Sequence, residues 1–213
     1  MEIHIQQLAP VFLEKEKVQQ SELWNSNTLF KKGERVQVIA PSGSGKTSFV
    51  HFLYGMRNDY SGSISIGNRD MRTIQPEDLA TLRSRHLSVV FQDLRLFNEH
   101  SAMENLAVKK QLAPYAEAGD IMAMAIELGI EKKLDQSAGK CSYGEQQRIA
   151  IIRALQQPFD FIILDEPFSH LDEANSKKAL TLIEREAAKR GAGIILADLE
   201  PVSFYKADKT IRL

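Results

Sequence analysis

The chain has 213 residues, 43% of them hydrophobic and 26% charged, which is an ordinary globular balance and excludes a disordered composition. Lys+Arg is 27 against Asp+Glu 28, so the formal net charge of −1 gives no sign of a strongly basic nucleic-acid binder. The only cysteine, Cys141, leaves no intrachain disulfide and rules out a disulfide-stapled secreted fold.

The opening segment, MEIHIQQLAP, lacks a basic stretch followed by an apolar one, so no signal peptide is expected. Ile3/Ile5 and Ile64/Ile66 alternate with polar residues, which predicts half-buried strands near a sheet edge. The runs Arg35–Ala40, Leu87–Phe91, Phe161–Leu164 and Ile194–Leu196 are nearly continuous in apolar character and predict strands covered on both faces. Gly67-Asn68 reads as a turn. From about Asp93 to Lys140 the pattern is helical, with Met103–Lys110 and Ile121–Leu128 as helix candidates. Later, Ala179, Ile183 and Ala187 form an i, i+4 stripe ending near Gly191, a helix stop. Strands alternating with helices predict an α/β fold with a mainly parallel sheet and a helical insertion. The longest apolar runs, Ile121–Ile126 and Phe161–Leu164, are far short of the ~20 residues a membrane span needs. A cytoplasmic protein is expected.

Residues 40–47 read Ala-Pro-Ser-Gly-Ser-Gly-Lys-Thr, between a predicted strand and an apolar helical run. That context defines a P-loop. Glycines let backbone N–H groups turn inward around phosphate oxygens, and the helix points its positive end at the same anion. Lys46 would add a full charge at the β/γ-phosphates, and Thr47 a hydroxyl for Mg²⁺. The motif normally opens with glycine. Ala40 stands there instead, at little cost unless the backbone requires φ > 0. Phe161-Ile-Ile-Leu-Asp165-Glu166 is a buried strand ending in two acids, at the tip where open α/β sheets bind ligands. Asp165 would hold Mg²⁺ and Glu166 would polarise the attacking water.

Together these motifs resemble the ATP-binding-cassette (ABC) ATPases over essentially the whole chain. Leu87-Ser-Val-Val-Phe-Gln92-Asp resembles the family's Q-loop, which implies that Gln92 reaches Mg²⁺ and the attacking water. Cys141-Ser-Tyr-Gly-Glu-Gln-Gln-Arg148 resembles the family signature, and Ser169-His-Leu-Asp172 the D-loop. Ser142 and Glu145 also match a helix capping box, and both readings can hold. Phe12 stands where an aromatic residue usually stacks on adenine, with Trp24 as the rival.

The resemblance implies a P-loop NTPase core at 1–92 and 145–213, with an antiparallel N-terminal β subdomain, and a helical signalling subdomain at 93–144. It implies nucleotide contacts from Phe12, Ser42, Gly43, Ser44, Gly45, Lys46, Thr47 and Ser48, and catalytic roles for Glu166, Gln92 and Lys46. Metal ligation would fall to Thr47, Gln92 and Asp165. Two chains would dimerise head to tail, so that Ser142 and Gly144 of one face the ATP on the other. A separate integral membrane subunit would hold the pair at the inner face of the cell membrane. The segments 83–97 and 103–106 look most like the branch of lipoprotein-release, macrolide-efflux and cell-division ATPases. That leaves two readings, a transporter's ATPase and an ATP-gated regulatory module that moves no solute.

Three departures cluster near the γ-phosphate. Tyr143 replaces a signature glycine, Glu145 replaces the signature glutamine, and Asp198 aligns with the switch histidine. A histidine can donate a hydrogen bond to the γ-phosphate, whereas ionised Asp cannot. Two like charges ~4 Å apart at an effective dielectric of ~20 repel by about 4 kcal/mol. Borne fully by the transition state, that is roughly a thousandfold in rate. Slow hydrolysis by the isolated chain is therefore expected.

Overall fold

A computed structural model describes residues 1–115 and 118–213. The chain runs through β1 (Glu2–Pro10), α1 (Lys15–Gln20), β2 (Asn27–Lys31), β3 (Arg35–Ile39), α2 (Lys46–Leu53), β4 (Tyr60–Ile66), β5 (Arg69–Asp70) and α3 (Pro76–Arg85). It continues through β6 (Leu87–Val90), α4 (Ala102–Leu112), α5 (Ala118–Glu127), α6 (Tyr143–Ala154), β7 (Phe161–Asp165), α7 (Glu173–Arg190), β8 (Gly193–Asp198) and β9 (Lys209–Arg212).

The strands form two sheets. The first is antiparallel, ordered β2-β1-β4-β5; the second is parallel, ordered β6-β7-β8-β3-β9. The four near-continuous apolar runs become β3, β6, β7 and β8. In β7, Ile162 and Leu164 enter one apolar cluster while Phe161 and Ile163 enter the other. Successive side chains point to opposite faces, so a strand sandwiched between two clusters must be apolar throughout. Each fully buried Leu, Ile or Phe contributes about 1.5–3 kcal/mol.

The alternating strands differ from expectation in one respect. Ile3 and Ile5, like Ile64 and Ile66, are buried as their alternation predicts. Yet β1 and β4 are the inner strands of their sheet and pair with each other, while β2 and β5 form the edges. One solvated face produces the alternation equally well for an inner strand. Gly67-Asn68 is the turn between β4 and β5.

The helical stretch is as the periodicity predicts. α4 begins in a full capping box of Ser101 and Glu104. Its Leu106 and the Met124 and Ala125 of α5 share one cluster with Ile149 of α6 and Ile162 of β7. α7 carries the Ala179/Ile183/Ala187 stripe into that cluster and stops at Gly191, whose φ is +57°.

The β1/β4 pairing carries an irregularity between Gln6 and Ala9, opposite Gly62. Gly62 has φ +78°, and a Cβ there would lie 2.3 Å from the Gln7 carbonyl oxygen. Gly67, at φ +57°, faces open space apart from the Met1 side chain at 3.9 Å. A left-handed non-glycine residue costs about 1–2 kcal/mol by itself. Gly67→Ala is therefore expected to lower the urea unfolding free energy by about 1 kcal/mol. Gly62→Ala, which adds a backbone collision, is expected to lower it by clearly more than 2 kcal/mol.

Candidate functional site

Four neighbouring parallel strands, β6, β7, β8 and β3, deliver their C-terminal ends to one edge of the sheet. Each end carries a residue singled out by the sequence. Gln92 follows β6, Asp165 ends β7 with Glu166 next to it, Asp198 ends β8, and the loop 40–45 joins β3 to α2. The ends are locked in register, with Asp165 opposite Ala197 and Asp198 opposite Ile39.

Gly43 and Gly45 have φ of +77° and +98°, the left-handed turns that let the loop wrap. Ala40 is fully buried, with no left-handed φ, and donates its N–H to the Asp198 carbonyl at 2.8 Å. Alanine at the motif's opening position therefore costs nothing in backbone strain. Gly45 caps α2, so the helix's unpaired N–H groups and positive end face the loop.

The Lys46 ammonium is buried at 6% exposure and bonds to both acids, to Asp165 Oδ1 at 2.8 Å and to Glu166 Oε1. Asp165 is 1% exposed. Burial pushes its carboxyl above the ordinary value, and Lys46 pulls in the opposite direction. Its second oxygen, Oδ2, is buried without a hydrogen-bond partner. Thr47 donates its hydroxyl to Gln92 Oε1 at 3.4 Å. Thr47, Gln92 and the free Asp165 oxygen form an all-oxygen donor set suited to Mg²⁺, which keeps waters and shares phosphate ligands. Among the described residues there is no cluster of three or more His, Cys, Asp or Glu able to hold a metal alone.

Beside these groups opens a cleft of about 320 Å³, lined by Phe12, Ser42, Gly43, Lys46, Thr47 and Glu166 among others. Gly45, Ser48 and Gln92 also line it. Ser44 does not; its hydroxyl is buried without a hydrogen-bond partner. Phe12 is half-exposed, and the Arg57 guanidinium covers one face of its ring at 4.6 Å. Arg57 also donates to Ser48 Oγ at 3.1 Å. The rival aromatic, Trp24, is 2% exposed and packed behind the loop, so it has no face to offer a base.

Glu166 has φ +46°, a left-handed backbone that is costly for a non-glycine residue. Several bonds hold it there. Its N–H donates to the Ala197 carbonyl at 2.9 Å, and its carbonyl accepts from Gln147 Nε2 at 3.0 Å and from Ser169 Oγ at 3.2 Å. Gln147 is buried and its Oε1 accepts from the His170 N–H at 3.1 Å. Sequence reasoning missed Gln147 and Arg57, because both act through bonds to segments distant in the chain.

At the start of α6, Ser142 and Glu145 form the full capping box that the sequence predicts. Glu145 also pairs with Lys133 at 3.3 Å, and its carboxyl lies below the ordinary range chiefly because the Ser142 N–H bonds to it. Gly144 is required by close approach, since a Cβ there would lie 2.8 Å from the His170 carbonyl. Tyr143 packs at a tilt against the His170 ring, with centroids 4.1 Å apart, and donates its hydroxyl to the Gln92 carbonyl at 3.5 Å. In one chain, then, Tyr143 bridges the three loops around positions 92, 143 and 170.

A parallel-sheet core with a glycine-turned anion loop, a lysine and strand-end acids defines the P-loop nucleotide-binding class. Residues 23–169 match the family model described as "ABC transporter". The chain is 33% identical over 185 residues to the "Lipoprotein-releasing system ATP-binding protein LolD" of Legionella pneumophila, covering 85% of this chain and 82% of that protein. It is 32% identical over 191 residues to the "Macrolide export ATP-binding/permease protein MacB" of Haemophilus ducreyi, covering 87% of this chain and 27% of that one. Its fold matches the structure titled "Dimeric Structure of MJ0796, a Bacterial ABC Transporter Cassette" with a TM-score of 0.77 and 22% identity, over 93% of this chain and 88% of that one. The chain belongs to the ABC transporter family and is an ATPase of that family.

Asp198 ends β8, one residue before Leu199, which lines the cleft. Burial raises its carboxyl above the ordinary 3.8, the nearby Glu166 adds to this, and the Leu199 N–H, donating to Oδ1 at 2.7 Å, opposes it. An acid that holds its proton more tightly folded than unfolded loses stability as pH rises from 3.8 through its folded value. Asp198→Asn keeps the acceptor for Leu199 and removes the charge. The variant is expected to be more stable than the wild type at neutral pH, with the gain vanishing as pH falls to about 3.8. Urea unfolding across that range checks it, and a gain independent of pH would contradict it.

Proposed function

We propose that this chain is the ATP-binding and ATP-hydrolysing subunit of an ABC transporter, which dimerises around Mg-ATP and drives a separate membrane subunit. The observation that carries this reading is the buried Lys46 ammonium between Asp165 and Glu166, beside the cleft lined by the P-loop. The relatives named as ATP-binding components of lipoprotein-releasing and macrolide-export systems support it.

In this reading the adenine stacks on the open face of Phe12, whose other face is held by Arg57. Ser42, Gly43, Ser44, Gly45 and Ser48 contribute the loop around the phosphates, through backbone N–H groups or hydroxyls. Lys46 moves its charge to the β/γ-phosphates. Thr47, Gln92 and Asp165 hold Mg²⁺, which supplies charge neutralisation at the phosphate oxygens. Glu166 accepts the proton of the attacking water. Ser142 and Gly144 present a helix start to the nucleotide on a second copy of the chain. Residues 93–144 act as the signalling unit between core and membrane partner. Among the described residues no helix is long and apolar enough to cross a membrane.

Hydrolysis by the isolated chain is slow in this reading. Asp198 adds a third carboxyl to a site that already holds Asp165 and Glu166 against one lysine. Asp198→His is expected to raise steady-state ATPase turnover at least tenfold, up to the roughly thousandfold limit set by the repulsion. Brisk wild-type turnover with no gain in the variant would remove the idea. Glu166→Gln is expected to elute as a dimer in Mg-ATP and as a monomer in Mg-ADP. A monomer under both conditions would contradict dimerisation around the nucleotide.

A further inference from the structure

Backbone carbonyls of the P-loop need hydrogen-bond partners like any others that are shielded from water. One of them has an unusual partner. The indole Nε1 of Trp24 donates to the Ser44 carbonyl at 2.9 Å. The same ring closes over Gly45, where a Cβ would lie 3.0 Å from Cζ2. Trp24 therefore covers the outer side of the two residues that precede Lys46.

The indole is itself tightly fixed. Its ring meets Phe49 and Phe52 of α2 edge-on, with centroids 6.0 and 6.5 Å away. Its backbone N–H donates to Ser21 Oγ at 2.9 Å. The neighbouring Glu22 clips the segment to the last strand, its N–H donating to the Arg212 carbonyl at 2.8 Å and its carboxylate accepting from the Arg212 N–H at 2.7 Å. Trp24 thus links the P-loop to a segment that is itself tied to the last strand.

We propose that Trp24 is a positioning residue for nucleotide binding. Through the Ser44 carbonyl and the face of Gly45, it holds the loop in the anion-binding conformation before the triphosphate arrives. Pre-organising a loop raises affinity by removing the ordering cost from the binding step. The inference rests on the nucleotide reading given above and adds to it a residue outside the P-loop motif.

Trp24→Phe keeps an aromatic ring and removes the N–H donor. Calorimetric titration of the full chain with Mg-ATP is expected to show about a tenfold rise in Kd, with kcat at saturating ATP within twofold of wild type. Phe52→Leu perturbs the same aromatic cluster without touching the loop, and is expected to leave Kd within twofold. An unchanged Kd in Trp24→Phe overturns the proposal, and so does an equal rise in both variants. A flat titration of the wild type sinks the nucleotide reading itself, which a binding wild type with an indifferent Trp24→Phe leaves standing. Trp24 is the only tryptophan, so the wild type has one indole ¹⁵N–H signal. That signal is expected to be protected from solvent exchange and to move on Mg-ATP addition, saturating at the calorimetric Kd. If Trp24→Phe fails to fold, this signal decides: an unmoved or unprotected resonance overturns the proposal.

Discussion

A single buried ammonium holds the site together. Lys46 is inside the protein and bonded to two carboxylates, one of them almost wholly buried. Removing charges from water is costly unless each finds a partner, and here one cation serves two anions. That arrangement is electrically short of positive charge. A triphosphate that draws Lys46 toward its own oxygens strips Asp165 and Glu166 of their cation. In the proposed reading the free oxygen of Asp165 would help to hold a divalent ion, which would supply that charge.

The sheet makes the arrangement possible. The order β6-β7-β8-β3 sets four strand ends side by side, each bringing a polar residue to the same edge. Apolar packing on both faces of β7 fixes the height of Asp165, and hydrogen bonds from Gln147, Ser169 and to Ala197 impose an unfavourable backbone on Glu166. The strain is stored at the edge of the P-loop cleft and is supported by residues from α6 and the loop after β7. Gln147 bonds to both Glu166 and His170, so one side chain of α6 ties the loop bearing Ser169 and His170 to Glu166.

What could be read from the sequence was local chemistry. The P-loop and the acids after Phe161–Leu164 stand out because turn, charge and apolar run occur within a few residues of one another. The capping box at Ser142 and the stop at Gly191 were legible for the same reason. The place of β1 and β4 in their sheet was not, because an inner strand with one wet face has the same alternation as an edge strand. Phe12 was preferred over Trp24 by its position in the family pattern, and nothing near Trp24 in the chain announced its burial. Their different fates depend on bonds to Ser44 and on the clip to Arg212, 190 positions from Glu22. Arg57 and Gln147 were missed because each links segments that the linear pattern leaves apart.

The measurement that bears most directly on the central interaction is calorimetry of Mg-ATP binding to the folded wild type and to Lys46→Ala. The account predicts saturable binding by the wild type and none measurable in the variant, because the variant leaves two acids facing the phosphates with no protein cation. Equal affinity in the two proteins, or no binding by a well-folded wild type, would contradict it.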